Sequence, residues 1–432
     1  MQNRAAGILL AILICIPFFT YGQKSINSPL ARYNLGLIEP AGSFRSLGMA
    51  GTGLAARDNL NVFYLNPASY SAIDTNSFVF DFGIDYGINL VSDGTNKDLS
   101  EDLNFDHFMI AFPIKKNWGM AMGLIPFSNG YYNISEQVSA EDTDPLIGEY
   151  TAYHNGSGGF TNFFLGTGVN IAKNLSAGAN MSFIFGSINR YNEFDFADYY
   201  YTFQTNMTDK FQITGIGFDA GLQYFRDLKK DYFLNLGTSF SSGRNCKSRL
   251  ESTTFRYNIY STTDTRFSSI DDSTRTYLPW SFRAGIAFGK KNKFTTSLDY
   301  AYTNWAAAKF PGSSGNLAST HTVSLGADWI PDRLSNYNFI KRIEYRAGVH
   351  AGNNYLLLNG YKVNEYGASI GAGIPMRRRY KTAADFYSKI NFYFDYTSRS
   401  MTGAPFVHNE NYFTFGLSLN MYDNWFFKRK YD

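Results

Sequence analysis

Gly51-Thr52-Gly53-Leu54-Ala55-Ala56 is the stretch that most looks like a cofactor motif. It matches Gly-x-Gly-x-x-Ala, whose glycines let a backbone approach a pyrophosphate at a helix N-terminus. That chemistry needs a strand before and a helix after, and neither pattern flanks it, so no nucleotide is expected. Five histidines, His107, His154, His321, His350 and His408, are scattered, and no two have metal-ligand spacing. The expectation is no enzyme: no catalytic residue, no metal and no cofactor. More telling are charges set on one side of alternating segments. Arg283 stands among Phe282, Ala284, Ile286 and Phe288, and Asp299 among Leu298, Tyr300 and Tyr302. Pairing Gly289 with Lys293 across the turn Lys290-Lys291-Asn292 would set Arg283 directly opposite Asp299. Parity gives Asp81, Asp85, Asp219, Asp328, Arg346 and Asp395 the same facing.

The elements that carry these charges are strands. Apolar and polar residues alternate with period two from Ser77 onward, as in Leu175–Asn189, where Met181, Phe183 and Phe185 alternate with Asn180, Ser182 and Gly186. The segments run to ten residues or more, and a tilted strand needs ~9–11 to cross a bilayer. Short basic turns, such as Lys115-Lys116-Asn117 and Gly289–Lys293, alternate with longer polar loops. The loops are placed at Ser92–Asp102, Ser139–Ser157, Arg190–Asp209, Asn258–Ser273, Ala308–Leu317, Asn353–Val363 and Ser400–Glu410. Seven hairpins give an all-β fold, a transmembrane β-barrel of about 14 antiparallel strands over residues 77–427, with the short turns periplasmic. A charge on the lipid face costs ~2–4 kcal/mol at the midplane, so the charges point inward.

Composition agrees. Aromatics are 18% and charged residues 17% of 432, with 39 glycines. A net charge of +3 gives no reason to expect nucleic acid. Residues 1–22 read as a signal peptide, with Arg4 before the apolar run Ile8–Phe19 and cleavage before Gln23. Export to the outer membrane of a Gram-negative bacterium follows, with outer-membrane lipid as surroundings. Residues 23–76 carry apolar and aromatic side chains, among them Phe44, Leu47, Met49, Leu54, Phe63 and Tyr64. A polar tail would lack these, so this segment is expected to fold as a plug inside the lumen. Its Arg45, Arg57 and Asp58 would meet the inward charges. A basic tail, 428–432, closes the chain.

The chain resembles the FadL/TodX family of outer-membrane hydrophobic-compound channels, in a form suggestive of Bacteroidota. The likeness rests on Gly48-Met49-Ala50-Gly51-Thr52-Gly53-Leu54-Ala55 with Val62-Phe63-Tyr64-Leu65-Asn66-Pro67-Ala68, on Leu124-Ile125-Pro126-Phe127, and on Leu278–Gly285 with Leu298-Asp299-Tyr300. The resemblance implies a hatch motif at Gly48, Gly51, Gly53, Asn66, Pro67 and Ala68. It further implies passive uptake of a small hydrophobic, fatty-acid or hydrocarbon-like molecule that leaves sideways through the wall. The residues themselves mark the place: Pro126, between Gly123 and Gly130 and beside Phe127, removes a ladder donor inside a strand. The resemblance also implies an alternative, since relatives such as PorV serve secretion machinery: a barrel subunit of an outer-membrane secretion or assembly complex.

Overall fold

The computed structural model describes residues 27–141, 143, 148–196, 204–257, 265–311, 317–335, 337–376, 388–401 and 409–424. The expected leader and basic tail lie outside them. A two-residue strand, β1 (Leu37–Ile38), precedes the wall. The wall begins with β2 (Ser77–Ser92), β3 (Lys97–Lys115), β4 (Trp118–Asn129), β5 (Tyr132–Val138), β6 (Tyr150–Ala172), β7 (Leu175–Phe196) and β8 (Gln204–Asp227). It continues through β9 (Tyr232–Ser241), β10 (Arg244–Tyr257), β11 (Thr265–Asp271), β12 (Arg275–Leu278), β13 (Ser281–Lys290), β14 (Phe294–Thr303) and β15 (Thr320–Trp329). It ends with β16 (Glu344–Leu358), β17 (Tyr361–Pro375), β18 (Lys389–Met401) and β19 (Asn409–Asn424).

β19 pairs with β2 from Asn409↔Ser92 to Asn424↔Ser77, so the sheet closes on itself as a 14-strand antiparallel barrel. Three of the expected strands are each built of two pieces, β4 with β5, β9 with β10, and β12 with β13. Closure gives the backbone its hydrogen bonds, which a bilayer interior demands. The faces divide as the alternation requires. On β7, Ser176, Asn180 and Ser182 are buried while Met181, Phe183 and Phe185 are exposed; on β19, Ser418 and Asn420 are buried while Phe415 and Leu417 are exposed. Asp81, Asp328 and Arg346 are buried, and Asp85, Asp219 and Asp395 line an internal cavity. Asn117 and Asn292 take left-handed backbone in the short turns, a conformation that asparagine tolerates.

The ladders extend into stretches expected to be loops. β6, β7 and β8 have 23, 22 and 24 residues, and β3 starts at Lys97 inside the expected first loop. β11 lies wholly within Asn258–Ser273, and β16 and β17 reach into Asn353–Val363. Beyond the bilayer both faces of a strand meet water, so pairing continues while the alternating pattern that reveals it fades.

Candidate functional site

Residues 27–76 run along the inward faces of the barrel strands. Near the long-loop end, the Ser28 hydroxyl donates to Glu410 at 2.9 Å and Tyr355 donates its hydroxyl to the Gly36 carbonyl at 2.6 Å. Leu30, Leu35 and Leu37 pack there with Phe160, Trp305 and Tyr355. Near the short-turn end, the Arg57 guanidinium lies 4.0 Å above the Phe225 ring and donates to Ser71 and Asn170, each at 2.9 Å. Between them, Arg45 pairs with Asp58 in its own segment and with Asp328 of β15 at 2.7 Å.

The glycine-rich stretch holds a carboxylate. The N–H groups of Gly53 and Leu54 donate to Oδ2 of Asp299 at 2.8 and 2.9 Å. Two successive amides aimed at one anion form a backbone nest, the same physics that a phosphate loop uses. Before it, the backbone turns with left-handed φ at Ala50 (57°) and Gly51 (79°), and the Ala50 N–H donates to Ser369 at 2.7 Å. Gly48 lies close against the backbone of Gly371.

Asp299 is thus engaged by the N-terminal segment, and its expected alignment with Arg283 is corrected. The ladder pairs Lys290 with Phe294, so Arg283 faces Ala301 and Asp299 faces Gly285. The turn is Lys291–Lys293, one residue later than expected, and every pair moves by two. A shift of two keeps parity, so both side chains stay on the lumen face, offset diagonally. Asp299→Ala should cost about 2–3 kcal/mol, since hydrogen bonds to charged groups contribute ~1.5–3 kcal/mol. Asp299→Asn, which keeps an acceptor, should lose less. Denaturation midpoints, with proteolysis of residues 41–58, measure this.

Asn66, Pro67 and Ala68 form the start of a 3-10 turn (Pro67–Ala72). The Asn66 side chain accepts from the Ala68 N–H at 3.2 Å and donates to the carbonyls of Leu54 and Leu222 at 3.0 and 3.1 Å. Pro67 takes the first helical position, where no N–H is needed. This turn lies so close to the wall that a Cβ on Gly178 would be 2.4 Å from the Pro67 carbonyl carbon, and one on Gly168 2.3 Å from its oxygen. Gly237, Gly326 and Gly348 admit the backbone of Leu54 and Met49 in the same way. Lumen-facing glycines therefore mark where the segment touches the wall.

The wall is interrupted at Pro126. β3 and β4 pair from Lys115↔Trp118 to Phe108↔Leu124, and the ladder stops there. On its other edge β4 stays paired to β6, with a bulge between Pro126 and Ser128 that leaves Phe127 as the extra residue. The vacated edge of β4 is met from inside: Leu37 and Ile38 of β1 pair with Asn129 and Ser128, and the Glu39 N–H donates to the Phe127 carbonyl at 3.1 Å. Gly123 is hemmed in by the Phe108 carbonyl and the Phe164 ring, and Gly130 by Ile188. The Arg244 guanidinium lies 5.9 Å from the Phe127 ring centre.

A cavity of about 450 Å³ occupies the lumen. Leu37, Ile38, Leu47 and Leu54 give it apolar surface, Arg283 and Asp299 border it, and it reaches Asn104 and Asp106 of β3 and Ile125, Pro126 and Phe127 of β4. The cavity and the break in the ladder therefore meet. Glu39 lines it as well. Burial pushes the Glu39 carboxyl up to about 7; Asp106 and Asp102 push the same way and Arg399 opposes them. A carboxyl raised in the folded state stabilises most below its unfolded pKa, and that contribution is lost as pH rises towards 7. The N-terminal strand should accordingly be better protected at pH 5 than at pH 8, measured by hydrogen exchange of residues 36–40, and Glu39→Gln should flatten the difference.

Two groups escaped the sequence reading. Glu344 sits between Lys389 and Arg346, the latter at 2.6 Å, and the Arg346 guanidinium also donates to Asn391 at 2.9 Å. Glu344 and Arg346 are two residues apart and so share a face, which was the available signal. The second is the pair of rings that receive Phe44, itself expected in the plug: it packs edge-on against His107 at 5.1 Å and tilted against Tyr393 at 4.5 Å, and nothing in the sequence marks those partners.

No curated protein sequence matches this chain. Among solved structures it is similar to a Pseudomonas aeruginosa FadL homologue, with a TM-score of 0.60 at 13% identity over 90% of this chain and 100% of that one. It is similar to the toluene transporter TodX of Pseudomonas putida (TM-score 0.57, 14% identity, 90% and 99% covered). TbuX, the toluene transporter of Ralstonia pickettii, gives 0.55 at 12% identity with 89% and 99% covered. These likenesses place the barrel in the FadL/TodX fold. The BamG family model matches residues 5–432, and the chain belongs to the BamG family.

Proposed function

We propose that this outer-membrane barrel admits small hydrophobic, fatty-acid or hydrocarbon-like molecules passively and releases them sideways into lipid between β3 and β4. The observation that carries the reading is the meeting of the internal cavity with the wall where the ladder stops at Phe108 and Leu124. An apolar solute gains nothing from a water-filled exit, whereas an unpaired stretch of wall leads straight to acyl chains. Residues 27–76 act as the hatch, closing the lumen to bulk water while leaving the apolar surface of Leu37, Ile38 and Leu54 beside the path. The toluene transporters TodX and TbuX, which share this fold, support the same cargo class. In a Gram-negative host lacking its own channel for such compounds, expression should speed entry of a labelled long-chain fatty acid or aromatic hydrocarbon. Unchanged entry with the protein folded in the outer membrane would remove the reading.

A second reading, a subunit of an outer-membrane secretion or assembly complex, is favoured by one observation. The strands β6 to β8 are about twice the length a bilayer requires, and β11 exposes Phe267 and Ile270 on the same raised rim. Recovery of the chain with stoichiometric membrane partners from native membranes would support this reading over transport.

A further inference from the structure

We propose that the turn between β15 and β16 is an interfacial foot that inserts into the phospholipid leaflet at the short-turn end of the barrel. The other described short turns are tight and polar or basic at their tips, as at Lys116-Asn117, Lys173-Asn174 and Lys291–Lys293. This one runs from Ile330 to Ile343 and exposes Leu334 (67%), Tyr337 (103%), Phe339 (46%) and Ile340 (63%). A cluster of this size facing water at the end of a barrel calls for an occupant.

The occupant follows from where the turn leans. Tyr345, on the lipid side of β16, packs tilted against the exposed, outward Trp329 of β15 with ring centres 5.9 Å apart, and donates its hydroxyl to the Ile340 carbonyl at 3.1 Å. The apolar cluster therefore continues the outward aromatic band and does not turn under the lumen. The base of the turn is fixed to its neighbour: Lys293 Nζ donates to the Pro331 carbonyl at 2.9 Å, and the Asp332 N–H donates to the Lys341 carbonyl at 2.7 Å. Basic residues flank the cluster, with Lys341 exposed and the Arg342 guanidinium 5.2 Å from the Phe339 ring centre. Apolar and aromatic tips edged by cations suit the boundary between acyl chains and anionic headgroups.

The test uses the full barrel in nanodiscs of phosphatidylethanolamine and phosphatidylglycerol. An environment-sensitive fluorophore is placed on Ile340→Cys and, for comparison, on Lys230→Cys in a polar turn; Cys246 is buried and stays unlabelled in the folded protein. Folding is checked by the heat-dependent gel shift of barrels. The proposal expects blue-shifted emission from position 340 that lipids carrying a nitroxide near the carbonyls quench strongly, with little quenching at position 230. Water-like, unquenched emission from position 340 overturns it. So does a cysteine at 340 that reacts freely with a water-soluble maleimide in lipid discs but is shielded in native membranes, because that outcome assigns the face to a protein partner.

Discussion

Gly178→Leu should expel the Asn66–Ala72 turn from the barrel wall while leaving the barrel itself folded. Its Cβ alone would lie 2.4 Å from the carbonyl carbon of Pro67 and 2.6 Å from the Ala68 nitrogen, and both obstacles are backbone. A flexible side chain could swing aside; a capped turn pinned by Asn66 to Leu54 and Leu222 cannot. Overpacking of this kind costs ~1–3 kcal/mol or more in a packed interior. Here it is relieved by releasing the segment, because the ladders of β7 with β6 and β8 use the backbone of Gly178 and not its missing side chain. Trypsin should then cut at Arg45 and Arg57 in the folded barrel, and single-channel conductance should rise sharply. Ala177→Leu, one residue along and on the outward face, should do neither. If Gly178→Leu keeps both the protection and the low conductance, the close contact with Pro67 is not what holds the segment.

The second large effect is expected at Glu344. Its carboxylate lies between Lys389 and Arg346, all three buried. Glu344→Ala strands two cations in the interior, and breaking a buried ion pair in this way costs ~3–5 kcal/mol. Replacing Lys389 by Met in the same chain should return part of that loss, since one stranded charge goes with it. Urea unfolding of both variants in detergent, followed by tryptophan fluorescence, gives the comparison. A double variant no more stable than Glu344→Ala alone would mean that Lys389 is not the charge left unpaired.

The fold was largely legible, and the reasons lie in particular residues. Met181, Phe183 and Phe185 against Asn180 and Ser182 give the face of β7, and the same rule put Arg283 and Asp299 on the lumen side. Register was harder. It depends on which three residues of Gly289–Lys293 form the turn, and glycine and lysine do not decide that. What Asp299 binds was hidden because its partners are backbone amides, which every residue carries. Pro126 signalled an irregular wall through its missing N–H; that the ladder ends on the β3 side and only bulges on the β6 side depends on contacts far away in sequence. Strand ends were misjudged where water bathes both faces, as in β11. Glycines such as Gly178, Gly168 and Gly348 carry no side chain that would tell a contact from a plain strand position, although they stand where the wall admits the N-terminal segment.

If cargo leaves through the wall between β3 and β4, joining those strands above the break should stop it. Asn104→Cys and Asn129→Cys, which both border the cavity near the break, would be linked across it by a cleavable bifunctional thiol reagent in cells that depend on this protein for entry of a labelled hydrophobic compound. Entry should fall to the level of cells without the protein when the strands are linked and return when the linker is reduced. Entry that continues unchanged through the linked barrel would contradict a sideways exit at this site.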